Sequence, residues 1–192
     1  MERIVYTKAG GLDSIAIEEF EETIPEPGEV RVRVSRAGIN FADLMMRQGL
    51  YGSAPNFPFT PGYEASGVIS AIGEGVKGLE VGQRVLAMTG FGGYSQSVQI
   101  SADRAIPIPN EMSHDAAASL GVTYGTAYHM LVHLGNLRAG DSVLIHHAAG
   151  GVGTAAAQIC LAYGATNLIG TASAAKKEFV EAQGMRFVDR DS

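Results

Sequence analysis

A run of glycines between an apolar segment and an alanine-rich helix is the first feature of this sequence that could do chemistry. Residues 148–153 read AAGGVG, which approximates the dinucleotide fingerprint G-x-G-x-x-G with alanine in the first glycine position. Glycines at such a turn let backbone N–H groups approach a phosphate, and the helix dipole adds about half a positive charge there. The alternative is a tight turn that holds no ligand. The spacing predicts a pyrophosphate contact at Gly150, Gly151, Val152 and Gly153.

The residues that follow the turn distinguish between the two nicotinamide coenzymes. In NAD-binding versions of the fingerprint, an acidic residue about 20 positions further on accepts the ribose 2′-hydroxyl. Between Gly153 and Lys176 the chain has no Asp or Glu, whereas Ser173 and Lys176 offer a hydroxyl and an ammonium group. Because a carboxylate repels a 2′-phosphate and these groups attract it, we expect NADPH rather than NADH. In the alternative interpretation Lys176 and Lys177 only solvate an exposed helix, which is the favoured interpretation for Lys177.

Strands and helices alternate around the glycine turn, in the order that this chemistry requires. The composition changes near residue 113, where Ser113 and an alanine-rich run predict a capped helix start. Downstream we expect helical spacing over residues 121–134, strands over 141–146, 167–170 and 185–189, and helices over 154–163 and 176–183. A strand, glycine turn, helix and strand within roughly 30 residues is the context of the fingerprint. This half therefore predicts an incomplete Rossmann-type parallel sheet, since a full one has six strands.

The first half of the chain has the pattern of short strands separated by turns. Val30, Val32 and Val34 alternate with polar residues, the period of a half-buried strand. Further strands are expected over residues 67–72, 84–88 and 94–100, each bounded by glycine or proline, and one early helix over 40–48. We expect a compact, mostly antiparallel β structure, so that the fold class is α/β with a β domain preceding the parallel sheet.

Composition and charge exclude several classes of partner. The 192 residues carry 20 acidic and 14 basic side chains, a net charge of -6, and the basic residues form no block, which argues against a nucleic-acid partner. Cys160 is the only cysteine, so neither an intrachain disulfide nor a cysteine-based zinc cluster is available. No stretch approaches the roughly 18 apolar residues of a membrane span. We expect a soluble, cytoplasmic protein.

The histidines do not suggest a metal site at this level. His146 and His147 are adjacent and would point to opposite faces of a strand. His129 and His133 share a helix face but lack a third ligand. We therefore expect no bound metal.

Four blocks of the sequence resemble the medium-chain dehydrogenase/reductase superfamily, in its zinc-free, zeta-crystallin-like quinone oxidoreductase branch. They are GINFAD at 38–43, PGYEASGV at 61–68, VGQRV at 81–85 and AAGGVG at 148–153. The sequence at residues 40–51 and 170–176 is especially similar to that of the synaptic-vesicle membrane protein subgroup. The resemblance implies a GroES-like catalytic domain over residues 1–125, followed by the first part of an NADPH-binding Rossmann domain over 126–192. It also implies that the chain is a fragment of a longer protein.

The resemblance implies roles for individual side chains. In zinc-dependent relatives a cysteine and a histidine ligate the metal at the positions of Asn40 and Tyr63, and neither residue present is a credible zinc ligand. Asn40 and Tyr51 would bind substrate oxygen or the cofactor amide, Tyr51 could donate a proton, and Thr126 would lie near the nicotinamide. The alternatives are that Asn40 only caps a helix, that Tyr51 packs over a core, and that Thr126 bonds to its own helix.

Together these observations favour an NADPH-dependent, zinc-independent reductase that transfers hydride to a quinone or an α,β-unsaturated carbonyl. The alternative is a nucleotide-binding or interaction protein without turnover. Association with a membrane is compatible with the subgroup resemblance but has no support in the sequence. The resemblance is also compatible with a homodimer of a full-length form.

Overall fold

The computed structural model describes residues 1–191, which divide into two compact units. The first is Met1–Gly121, and the second begins at Val122. A domain division after residue 125 stays a prediction, and Ser192, the last residue of the predicted second domain, lies outside the described residues.

The first unit contains two antiparallel sheets. Strands β1 and β2 form a hairpin, and β3 to β7 form a five-stranded sheet in the order β6-β3-β4-β5-β7. Val30 and Val32 are fully buried, as the alternating pattern predicts, and pack with Ile69 and Val85. The bounds are Glu2–Tyr6 for β1, Ile15–Glu19 for β2, Glu29–Ala37 for β3, Glu64–Ile72 for β4, Arg84–Met88 for β5, Ser97–Ser101 for β6 and Ala105–Pro107 for β7.

Two short helices complete the first unit, both at positions that the sequence predicts. Helix α1 is Phe41–Arg47 with Asn40 as its N-cap. Helix α2 is His114–Ala118, and the Ser113 hydroxyl accepts a hydrogen bond from the Ala116 amide at 3.1 Å. A serine cap of this kind satisfies an N–H group that has no partner within the helix.

The second unit is a parallel sheet with helices, in the order β10-β9-β8. Small residues of α4 fill its core, among them Ala155, Ala157 and Cys160. The glycine turn belongs to the first turn of α4, so this helix begins at Gly151 rather than at the predicted residue 154. The bounds are Gly121–Tyr128 for α3, Ser142–Ile145 for β8, Gly151–Ala162 for α4, Asn167–Ala172 for β9, Lys177–Ala182 for α5 and Arg186–Asp189 for β10. Helix α3 continues as a π-helical segment, His129–Leu134.

Across residues 1–191, none of the helices combines the length and the hydrophobicity that a membrane crossing needs.

A histidine couples α2 to the five-stranded sheet. Ser66 Oγ donates to Val85 O at 2.9 Å and lies 2.8 Å from His114 Nδ1, while Arg84 Nε donates to His114 Nε2 at 3.4 Å. These bonds all form only if the imidazole is neutral with its proton on Nδ1, because a protonated ring has no acceptor. Burial lowers the pKa of His114, and the charges of Arg84 and Arg36 lower it further, against a smaller opposing effect of Asp115.

We expect the free energy of unfolding to fall between about pH 7 and about pH 5, because His114 must take up a proton that its folded environment disfavours. The folded pKa lies below the unfolded one, so the stabilisation is complete above the unfolded pKa and is lost as the pH falls. The variant His114→Asn retains a donor for Ser66 and cannot titrate, so urea unfolding should show a smaller pH slope. His129→Asn, at an exposed position, is the control. Equal slopes for His114→Asn and the unchanged chain would contradict this assignment.

Candidate functional site

The glycine turn leaves backbone amides at the start of α4 without helical partners. Gly150 is the N-cap, and the first bond across the turn of the helix runs from the Thr154 amide to Gly150 O at 2.8 Å. The amides of residues 151–153 precede that bond, where a helix has no internal acceptor for its N–H groups. The positive end of the helix dipole lies at the same place, so the turn suits an anionic group.

The third glycine of the turn is required by close packing. A Cβ at Gly153 would lie 2.6 Å from His147 O and 2.7 Å from Ala148 Cα. Both are backbone atoms of the loop that enters the turn, so neither can move alone. His147 itself has a positive φ of 52°, and its carbonyl accepts the Gly150 amide at 2.9 Å. Gly153 therefore lets α4 approach the end of β8, the role of the third glycine in the fingerprint.

A cavity of about 210 Å³ adjoins this turn at the carboxyl ends of the parallel strands. Ligands of open α/β sheets bind at this edge. Among the residues that the structure describes, two cations and a hydroxyl line the cavity, and no carboxylate does. The full lining is His147, Ala149, Gly150, Ala172, Ser173, Lys176 and Arg190.

Three of the predicted cofactor residues meet in this cavity, namely Gly150, Ser173 and Lys176. Gly151 and Gly153 lie in the first turn of α4, and Val152 packs against the core of the second unit. These three do not line the cavity.

Two further residues from the sequence analysis, Thr126 and Lys177, lie outside the cavity. Thr126 is exposed on α3 and is not among the lining residues. Lys177 also lies outside the lining, with its ammonium 4.0 Å from Glu181 Oε1, as expected of a residue that solvates a helix.

Arg190 and His147 are cavity residues that the sequence reasoning missed. Arg190 directly follows β10, and its backbone N–H donates to Ala172 O at 3.0 Å. This hydrogen bond places Arg190 beside the end of β9. Its exposed Nε lies 3.6 Å from Asp191 Oδ1. The sequence could have indicated Arg190, because the residues that directly follow the strands of a parallel sheet all lie at the same edge.

A second cluster of polar groups lies in the first unit, around the N-terminus of α1. The backbone N–H of Asn40 donates to Asp43 Oδ2 at 2.8 Å, as in a capping box. The side-chain Nδ2 of Asn40 donates to Glu64 Oε1 at 3.1 Å. Asn40 and Glu64 are both buried, at 9% and 1% exposure. Asn40 thus does cap a helix, while its side chain is hydrogen-bonded to a buried carboxyl group.

Asp43 is the acidic centre of this cluster. It is 1% exposed, and its Oδ2 also accepts the Tyr94 hydroxyl at 2.8 Å. Its Oδ1 is buried and has no hydrogen-bond partner among the described residues. Burial raises the pKa of Tyr94 above its usual range, and the charge of Asp43 and the hydrogen bond to it add to the rise. The cluster therefore holds a carboxylate beside a phenol that stays protonated.

Tyr63 lies near this carboxylate, and Tyr51 is a neighbour of Tyr63. Burial raises the pKa of Tyr63 to about 12, and the neighbouring Tyr51 hydroxyl and the charge of Asp43 contribute further. The Tyr63 ring packs at 5.4 Å from the ring of Phe91, whereas Tyr51 is 36% exposed. The structure thus pairs Tyr51 with a second tyrosine, a neighbour that the sequence reasoning did not assign to it.

Within residues 1–191 there is no grouping of three or more His, Cys, Asp or Glu side chains that could hold a metal ion.

Comparison with known proteins identifies the family. The alcohol dehydrogenase GroES-like domain family matches residues 26–110. The synaptic vesicle membrane protein VAT-1 homolog of Rattus norvegicus is 43% identical over 184 residues, covering 95% of this chain and 46% of that protein. The human VAT-1 homolog-like protein is 39% identical over 194 residues, covering 100% of this chain and 46% of that protein. The chain therefore spans about half the length of the curated relatives it matches.

Solved structures agree with this assignment. Human VAT-1 homolog-like protein superposes with a TM-score of 0.94 at 37% identity, over 100% of this chain and 62% of that one. Escherichia coli quinone oxidoreductase complexed with NADPH superposes with a TM-score of 0.94 at 34% identity, over 100% of this chain and 59% of that one. The predicted resemblance to the medium-chain dehydrogenase/reductase superfamily is confirmed. Within it, the chain is similar to the quinone oxidoreductase-like members.

Gly153→Ala should destabilise the second unit, because the added methyl group meets backbone atoms on the entering loop. We expect a loss of about 1–3 kcal/mol in the free energy of unfolding, as for overpacked positions. Gly125→Ala is the matched control, since a Cβ at that helical position meets nothing within 4 Å. It should raise stability by about 0.5–1 kcal/mol. Urea unfolding of both variants measures the difference, and equal effects would refute the packing argument.

Proposed function

We propose that the chain forms the coenzyme-binding turn and part of the reaction site of an NADPH-dependent reductase. The substrate is a quinone or an α,β-unsaturated carbonyl, and the reaction needs no zinc. A cytoplasmic location belongs to the same proposal. The observation that carries it is the cavity beside the glycine turn, where Ser173, Lys176 and Arg190 meet with no carboxylate from residues 1–191 in the lining.

The cavity fits the phosphates of the coenzyme. The amides at the start of α4 and the helix dipole suit a pyrophosphate. Ser173, Lys176 and Arg190 suit a 2′-phosphate, because ammonium and guanidinium groups form strong, charge-assisted hydrogen bonds with it. Solved structures of E. coli quinone oxidoreductase and of a mycobacterial protein, both similar to this chain, are complexes with NADPH. When bound, this coenzyme supplies the hydride, and the chain contributes binding and orientation.

The tyrosine pair of the first unit supports a reaction without metal. A phenol whose pKa is about 12, as for Tyr63, stays protonated near neutral pH and is a poor ligand for zinc. The exposed Tyr51 hydroxyl can instead donate a proton to an oxygen atom of the reduced substrate. Asn40 positions this region by capping α1 and by its hydrogen bond to Glu64.

Both substrate classes have support among the similar structures, which include quinone oxidoreductases and the CurK enoyl reductase. A nucleotide-binding protein without turnover is the second candidate. The observation that favours it is that several similar curated proteins, the VAT-1 homologs, are named as vesicle membrane proteins rather than as enzymes.

Turnover separates the two candidates. NADPH oxidation should be measured with ortho-quinones, para-quinones and an α,β-unsaturated ketone, on this chain and on a form extended to the length of its relatives. We expect oxidation by at least one form, and a loss of about 100-fold in kcat for Tyr51→Phe, the size of a general-acid contribution. NADPH binding without oxidation in both forms would favour the second candidate and overturn the reductase.

Charge reversal in the cavity tests the coenzyme preference. Lys176→Glu and Arg190→Glu should each weaken NADPH binding by roughly tenfold or more, since each removes a charged hydrogen bond worth about 1.5–3 kcal/mol. NADH binding should change little. Lys177→Glu is the control, because Lys177 is exposed outside the cavity. Calorimetry provides the affinities, and an unchanged preference for NADPH in Lys176→Glu and Arg190→Glu would refute this assignment.

A further inference from the structure

The π-helical segment that continues α3 brings two exposed histidines together. His129 and His133 lie four residues apart, and their ring centres are 5.6 Å apart with the ring planes inclined at 43°. Neither imidazole has a hydrogen bond to another described residue, so neither is committed to the fold. Short π-helical segments are rare and are frequently found at functional sites.

Tyrosine rings restrain this pair from one side. Tyr128 packs edge-on against His133 at 5.4 Å and against Tyr163 at 6.3 Å. The Tyr163 hydroxyl donates to Tyr128 Oη at 3.2 Å, which ties the group to the end of α4. His133 is therefore an exposed side chain with a packed ring, so little conformational entropy is lost when it binds an ion.

The separation of the two rings fits a shared metal ion. Imidazole nitrogens bind Zn²⁺ at about 2.0–2.1 Å, and two rings that share a tetrahedral ion have centres roughly 5 Å apart. The observed 5.6 Å is close to this value.

We propose that His129 and His133 form a two-histidine site for a divalent transition ion of the Zn²⁺ and Cu²⁺ class, with water completing the coordination. The site is independent of the reductase chemistry, and neither the two histidines nor the neighbouring Tyr128 and Tyr163 line the coenzyme cavity. With two protein ligands it is an exchangeable site rather than a structural one. An ion shared between positions 129 and 133 clamps the π-helical turn and stabilises the second unit by mass action.

Titration of the chain with Zn²⁺ alone and with Cu²⁺ alone tests the site. We expect one ion per chain by calorimetry, tighter binding of Cu²⁺ than of Zn²⁺, and a rise in Tm with Zn²⁺. The chain has no tryptophan, so quenching of tyrosine emission by Cu²⁺ reports an ion beside Tyr128 and Tyr163. His129→Gln and His133→Gln should each weaken binding by roughly tenfold or more.

His146→Gln is the matched control, because it removes an exposed histidine outside the pair, whose Nδ1 lies 3.0 Å from Thr171 Oγ1. It should leave the affinity, the Tm shift and the quenching unchanged. The proposal is overturned if His146→Gln weakens binding as much as His133→Gln does. It is also overturned if the His129 and His133 variants bind both ions as tightly as the unchanged chain.

Discussion

The second unit depends on one steric constraint, the contact between the first turn of α4 and the loop that leaves β8. Gly153 lies where any side chain would meet His147 O and Ala148 Cα. Because the helix can approach so closely, its first turn adjoins the carboxyl edge of the sheet, where Ser173, Lys176 and Arg190 line the same cavity as Gly150. Without this contact, the start of the helix and the cations would not adjoin one cavity.

The charge of the lining residues determines which kind of ligand the cavity can bind. The chain as a whole is acidic, with a net charge of -6, yet the described residues that line this cavity include two cations and no carboxylate. A local excess of positive charge on an acidic protein favours a specific anion over polyanions in general. In the first unit the hydrogen-bond donors carry no positive charge. They are phenols that stay protonated beside the buried Asp43. These are the two kinds of group that the proposed reduction by NADPH needs.

Much of this could be predicted from the sequence because it depends on local patterns. The alternation of valines predicted β3, Ser113 marked the start of α2, and the glycine spacing located the turn that begins α4. Features that depend on tertiary proximity were missed. Arg190 joins Lys176 only through parallel strand pairing, and Tyr63 meets Tyr51 only after the chain has folded. The start of α4 was placed three residues late because glycine is a poor helix former, and here close packing outweighs that preference.

The central claim is that the cavity beside Gly150 recognises a 2′-phosphate. The most direct measurement compares the calorimetric affinities of adenosine 2′,5′-bisphosphate and adenosine 5′-monophosphate for this chain. We expect the bisphosphate to bind roughly tenfold tighter or more, because its 2′-phosphate adds one set of charge-assisted hydrogen bonds. Equal affinities, or tighter binding of the monophosphate, would contradict it.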